Sequence, residues 1–261
     1  MEYLVISIVA LVAASLALFS GFGLGTLLTP AFILFFPVQV AVAAAAVVHL
    51  VNNFVRLLLV GRHTDWRVVF KFGLPAVVAA IPGAWLLGVL TGIPSIAVYQ
   101  IGGRNYEITP VKMAIGIIII AFAMLDIVPR MRKLTFNPRY LPAGGLLSGF
   151  FGGFSGQQGA LRSAFLVKTA LTPEAFIGTS SIIIVGVDVV RLAVYGAGFY
   201  AGGFASVTGD VWKVVVAAIL SAAAGSVAGS LMVKRMTIET VRYIIGAMLL
   251  LVGAGLTGGL L

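Results

Sequence analysis

Two glycine-rich breaks and a set of buried-looking polar residues carry the chemistry this chain could perform. The breaks are Gly23-Leu-Gly25-Thr26 and Gly153-Phe-Ser155-Gly156-Gln157-Gln158-Gly159. A break in an apolar helix exposes backbone N–H groups at the start of the next helix. Those groups, with the helix dipole behind them, favour an anion. His49, Asn52, Asn53 and Arg56 are spaced to lie near one helical face, and Asp188 and Arg191 stand at i and i+3 on another helix. Arg162 follows the second break by about one turn, while its counterpart after the first break is apolar, so any site is asymmetric. Plainer roles exist for each: glycines as packing surfaces or turns, Arg56 and Arg191 snorkelling to an interface, Asp188–Arg191 as a self-neutralising pair. His49 fits a packing role as well as that of a proton carrier. That the glycine break occurs twice favours the anion-binding reading over simple packing.

The elements that must position these groups are membrane helices. Of 261 residues, 61% are hydrophobic and 10% charged, against about 25% charged in an ordinary soluble domain. Apolar stretches recur at the length that spans a bilayer core. Runs such as Val111–Leu125 lack the alternation of barrel strands, so the fold class is an all-α polytopic membrane protein. The 32 glycines suit close helix packing in lipid, as at Gly21/Gly25, Gly149/Gly153 and Gly225/Gly229. With no cysteine there is no disulfide or thiolate metal site, and no cofactor is implied. The chain opens Met1-Glu2-Tyr3 without a basic segment, so the first helix is expected to be retained.

The net charge of +9 does not point to nucleic acid, because the basic residues cluster between apolar spans. Arg62, Arg67 and Lys71 form one group; Arg130, Arg132, Lys133 and Arg139 a second; Lys234, Arg235 and Arg242 a third. This is the positive-inside pattern of cytoplasmic loops, and it places the protein in the cell inner membrane as a multi-pass chain. Trp66 and Trp212, at span starts, read as interface anchors.

Helices are expected at about 3–20, 26–36, 39–60, 67–91 and 110–128, then at about 139–151, 160–171, 174–195, 211–233 and 239–258. The second series repeats the first. Gly21–Gly25 answers Gly152–Gly159, Asn53 answers Asp188, Arg56 answers Arg191, and Asp65-Trp66 answers Asp210-Val211-Trp212. This divides the chain into a repeat over 1–128, a basic linker over 129–138 and a second repeat over 139–261. With the basic loops inside, loops 92–110 and 196–210 lie outside and the repeats run in opposite senses. Inverted repeats of this kind place a transporter's solute near the bilayer midplane. About seven or eight membrane helices result, counting re-entrant hairpins or helix breaks at the glycine turns.

Two other motifs are set aside. Gly21-x-Gly23-x-Gly25 lacks the βαβ setting of a dinucleotide site. Gly153-Phe-Ser155-Gly156 has the GxSG form of intramembrane serine proteases, but no histidine follows His63 to act as base on a later helix.

The doubled pattern of glycine turn, proline-bearing segment, small-residue helix and Asp-Trp resembles the TauE/SafE family of sulfite and organosulfonate exporters. The segments are Gly21–Pro30 with Ala41–Trp66, and Gly149–Gly156 with Glu174-Ala175 and Gly178-Thr179-Ser180. The resemblance covers essentially the whole chain. It departs where Phe22 and Leu24 interrupt the first glycines and where Ala44-Ala45 stand in place of a Thr-Ser pair that the second half keeps as Thr179-Ser180. The resemblance implies export of sulfite, or of a sulfonate such as sulfoacetate, by alternating access, with a passive anion channel as the alternative. The substrate ligands would come from Gly23, Gly25, Thr26, Asn52, Asn53, Arg56, Ser155, Gly156, Gln157, Gln158, Arg162, Thr179, Ser180 and Arg191. Coupling to a proton or sodium ion through His49 or Asp188 is left open, as is a homo-oligomeric assembly.

Overall fold

Because lipid cannot hydrogen-bond the backbone, the apolar segments satisfy their own N–H and C=O groups as helices. The computed structural model describes residues 1–17, 24–201, 210–232 and 238–261. Gly21, Phe22, Gly23, Lys234 and Arg235 therefore lie outside the described residues. The first series is α1 (Glu2–Ala17), α2 (Leu24–Ile33), α3 (Val38–Val60), α4 (Trp66–Val68), α5 (Leu74–Thr91) and α6 (Pro110–Ile127). A short α7 (Pro129–Arg132) lies between the halves. The second series is α8 (Leu141–Ser155), α9 (Gly159–Leu166), α10 (Pro173–Ala201), α11 (Asp210–Met232) and α12 (Ile238–Thr257). Among the described residues, five helical stretches are long and apolar enough to cross a membrane, and three shorter apolar helices accompany them.

Local sequence sets the helix ends. Asp65 accepts from the N–H groups of Arg67 and Val68 at 2.9 and 3.1 Å and so starts α4. Thr109 caps α6, with Pro110 in the position where a missing N–H costs nothing. Between α4 and α5 a π-turn spans Val69–Gly73. Pro75 follows it and cannot donate to the carbonyl four residues back, which explains the widened turn there.

Helix contacts fall into pairs that exchange when the halves are exchanged. α5 packs on α8 and α1 on α11; α10 packs on α5 and α3 on α11; α3 meets α10, and α6 meets α12. Glycine makes these seams close. Gly145, Gly149 and Gly153 recur every fourth residue on α8 and face the backbone of Phe72, Ala76 and Ala80; a Cβ on Gly149 would lie 2.5 Å from Ala76 Cα. On the α1–α11 seam a Cβ on Gly225 would lie 2.9 Å from Leu11 Cα, and between α6 and α12 one on Gly253 would lie 3.0 Å from Gly116 O.

Two local expectations are corrected. The second glycine turn is shorter than Gly152–Gly159, since α8 continues through Gly152 and Gly153 and ends only where Gly156 turns left-handed at φ 78°. Gly152 and Gly153 stay helical because their bare faces are used in packing, against Val187 and Ala80 respectively. The 92–110 loop also holds a β-hairpin, β1 (Ala97–Ile101) and β2 (Arg104–Ile108), joined by Gly102 and Gly103 at φ 59° and 79°. A Gly-Gly pair between alternating apolar residues is the sequence signal for such a turn. Tyr99 stacks on Tyr106 and donates its hydroxyl to Gly258 O, tying the hairpin to the end of α12. Trp66 and Trp212 are both exposed, as anchors require.

Candidate functional site

Midway along α3, His49 meets Asp188 of α10. His49 Nδ1 lies 2.8 Å from Asp188 Oδ2, and Arg191 Nη2 lies 2.7 Å from Asp188 Oδ1. All three side chains are buried. Arg191 Nη1 donates to Gly152 O at 3.1 Å, and Tyr195, one turn further on, donates its hydroxyl to Gly153 O. The end of α8 is thus held against the charged face of α10.

The second break lies directly beside this pair. Gly156 needs its missing side chain twice over, since a Cβ there would sit in a left-handed backbone and 2.8 Å from Arg191 Nη1. Ser155 donates to Phe151 O at 3.0 Å and accepts from Gln157 N at 3.3 Å. Gln157 Nε2 reaches Thr26 O at 3.5 Å, and Ser148 donates to Gln158 O at 3.3 Å. From the other half comes the start of α2: a Cβ on Gly25 would lie 3.2 Å from Gly156 O and 3.8 Å from His49 Cδ2. The first turn of α2 and the second break therefore touch in the protein interior, with His49 beside both.

Arg162, in the first turn of α9, is 6% exposed. Among the described residues its Nε and Nη1 have no hydrogen-bond partner. It lies within Coulombic reach of Asp188, Arg56 and His49. Arg56 donates to Ala14 O at 3.3 Å and leaves Nε unpartnered. Among the described residues Gln158 leaves both amide atoms unpartnered, Gln157 its Oε1 and Arg191 its Nε. Asn53 donates to His49 O, and Asn52 accepts from Ser226, both at 2.8 Å; each keeps one free amide atom.

Arg191 thus pairs with Asp188, Arg162 lies buried within reach of the same carboxylate, and Arg56 adds a third guanidinium on the Arg162 side. Excess positive charge and unfilled N–H donors are expensive away from water, and a small oxyanion would supply both the counter-charge and the acceptors. Charged guanidinium donors lie beside amide groups that keep both donors and acceptors open, and charge-assisted bonds from guanidinium groups are the stronger kind. Among the described residues no group of three or more His, Cys, Asp or Glu could hold a metal ion.

Other predicted residues lie apart. Thr179, one of the hydroxyls singled out above, accepts from Asp65 N at 2.9 Å at the far end of α3, and Ser180 Oγ is buried with no partner among the described residues. Lys168 sits exposed on the turn after α9. Tyr195, Ser148 and Ser226 escaped sequence reasoning. Only Tyr195 carried a signal, at i+4 from Arg191 on the same face. A cleft of about 350 Å³ opens beside Tyr195 between α3, α10 and α11, lined mainly by apolar residues.

A family model described as Sulfite exporter TauE/SafE matches residues 6–256. No curated protein and no solved structure matches the chain.

Proposed function

The chain belongs to the TauE/SafE family of sulfite exporters, and from that premise we propose that it exports a small sulfur oxyanion, sulfite or an organosulfonate, from the cytoplasm by alternating access. The observation that carries this reading is the buried surplus of arginine donors where the start of α2 meets the break before α9. Arg162 supplies the free guanidinium, Arg191 a second one steadied by Asp188, and Gln157, Gln158, Gly25 and Thr26 the polar surround. Arg56 adds positive charge from α3.

The exchange-related helix contacts support two inverted repeats, 1–128 and 139–261, joined by the basic linker 129–138. The exposure of Arg62, Arg67 and Lys71 supports a cytoplasmic end of α3, and on that reading the protein acts in the inner membrane. With His49 and Asp188 in contact beside the arginines, a proton carried there would be felt by a bound anion, which makes this pair the candidate for coupling.

Flux into liposomes tests the function. Purified protein should move sulfite or a sulfonate saturably and discriminate against carboxylates of similar size, and imposed proton or sodium gradients should change the rate. Non-saturating flux indifferent to both gradients favours a channel. Absence of flux for every sulfur oxyanion removes the transport reading.

Ser155 separates this function from proteolysis. Its hydroxyl is donated to Phe151 O, and among the described residues no hydrogen bond joins it to His49, whose Nδ1 is held by Asp188. Ser155→Ala removes two neutral hydrogen bonds, to Phe151 O and from Gln157 N, worth about 1 kcal/mol each. Transport in liposomes should survive it; complete loss together with loss of peptide-bond cleavage would instead identify a nucleophile.

A further inference from the structure

The two ends of the α3–α10 seam are built differently. Near the start of α10, Gly178 lies so close to the end of α3 that a Cβ on it would sit 2.7 Å from Val60 O and 3.3 Å from Thr64 Oγ1. Next to it, the fully buried Thr179 accepts from Asp65 N at 2.9 Å. Asp65 is itself fixed by capping α4. This end is shut by backbone contact and secured by one side-chain hydrogen bond.

The corresponding residues at the other end follow from the register of the halves. Asn53 and Asp188 are 135 positions apart, as are Arg56 and Arg191, and the same offset pairs Ala43 with Gly178 and Ala44 with Thr179. Ala43 is half-buried and Ala44 buried. They line the cleft of about 350 Å³, across from Tyr195 and Gly196 of α10 and Val211 and Trp212 of α11. Alanine has no acceptor, so its side chain cannot make the hydrogen bond that Thr179 makes. Tyr195, which lines the cleft, also bonds Gly153 O, next to the Gly152 O that Arg191 holds, so one wall residue of the cleft touches the same helix end as the charged cluster.

We propose that Thr179 is a gate latch: its bond to Asp65 holds one end of the α3–α10 seam shut, so that the resting protein opens toward the arginine cluster from the side of the Ala43–Ala44 cleft. The inference rests on the transporter reading. With the Arg62–Lys71 loop in the cytoplasm, the latched end is cytoplasmic and the resting state faces outward. Solute arriving from the cytoplasm is admitted when the latch opens. One net hydrogen bond biases such an equilibrium by roughly fivefold.

The chain contains no cysteine, so single introduced thiols report access directly. Ala43→Cys and Ser180→Cys would be reacted in proteoliposomes of known orientation with a charged, membrane-impermeant thiol reagent added to either side. Ala43→Cys should react from the side opposite the basic loop, and Ser180→Cys slowly from both sides. Adding Thr179→Val should speed labelling of Ser180→Cys from the basic-loop side by roughly fivefold, while Thr179→Ser, which keeps the acceptor, should not. The proposal is overturned if Thr179→Val leaves labelling unchanged or if Ser180→Cys is already freely reactive. It is equally overturned if Ala43→Cys reacts only with a lipid-soluble maleimide, which would mean that lipid tails fill the cleft. Flux measured on the same preparations keeps the two ideas apart. Correct labelling without sulfur-anion flux sinks the transport reading and leaves the latch, and flux without the labelling pattern does the reverse.

Discussion

Arg191→Ala is expected to abolish saturable anion transport and to lower the melting temperature of the purified protein, whereas Arg162→Ala should weaken the anion without destabilising the fold. The two arginines differ in what they leave behind. Arg191 holds Asp188 Oδ1 at 2.7 Å and Gly152 O at 3.1 Å. Its loss leaves the buried carboxylate without its ion-pair partner, with His49 in contact and Arg162 further off, and breaking a buried pair from one side costs about 3–5 kcal/mol. It also frees the end of α8 from α10, so the second break loses its position. Arg162 has Nε and Nη1 unpartnered, so removing it relieves an uncompensated charge in the apo protein. What it loses is one charged contact to the solute, about 2 kcal/mol or on the order of thirtyfold in Kd. Lys168→Ala, on the exposed turn after α9, should behave as wild type. Flux and thermal unfolding on the same samples decide the matter; equal and negligible effects of all three substitutions would take the arginines out of the mechanism.

Gly149→Leu is expected to prevent assembly of the α5–α8 seam. A Cβ alone at Gly149 would sit 2.5 Å from both Ala76 Cα and Ala76 C, and backbone cannot move aside as a flexible side chain can. Overpacking in an ordinary core costs about 1–3 kcal/mol, and here the helices themselves must separate, loosening the neighbouring contacts of Gly145 and Gly153 as well. Since α8 ends in the second break, the site goes with the seam. Monodisperse yield and melting temperature should both fall. Gly88→Ala is the matched control: Gly88 lies on α5, where an added methyl group would meet no atom of the described residues within 4 Å, and alanine gains about 1 kcal/mol of helix propensity over glycine. A well-folded Gly149→Leu protein would contradict the close-packed seam.

How far the sequence could be read depended on whether side chains or backbone made the contact. Span positions followed from apolar length, and α3, α6 and α11 begin and end within a residue or so of the hydropathy pattern. The Asp188–Arg191 pair was readable from its i, i+3 spacing, and the two meet; His49 stood out as an ionisable group at membrane depth, but its contact with Asp188 across two helices was not readable. Gly149 and Gly225 were recognisable as packing glycines, again from spacing. Contacts to carbonyl oxygens were not readable, because every residue carries one. Arg191 on Gly152 O, Tyr195 on Gly153 O and Arg56 on Ala14 O left no mark in residue types. For the same reason Thr179 read as a candidate ligand, while its partner is the backbone N–H of Asp65. The extent of the second break was misjudged because a glycine run looks alike whether it turns or packs, and only Gly156 turns.

The central claim is that a buried, donor-rich cluster between the start of α2 and the break before α9 binds a small sulfur oxyanion. Calorimetric titration of sulfite into detergent-purified protein tests it without depending on the transport cycle. Saturable binding at one site per chain, competed by a sulfonate but not by acetate and weakened about thirtyfold in Arg162→Gln, is the predicted result. Binding that is absent, or present but indifferent to both Arg162→Gln and Arg191→Gln, would contradict it.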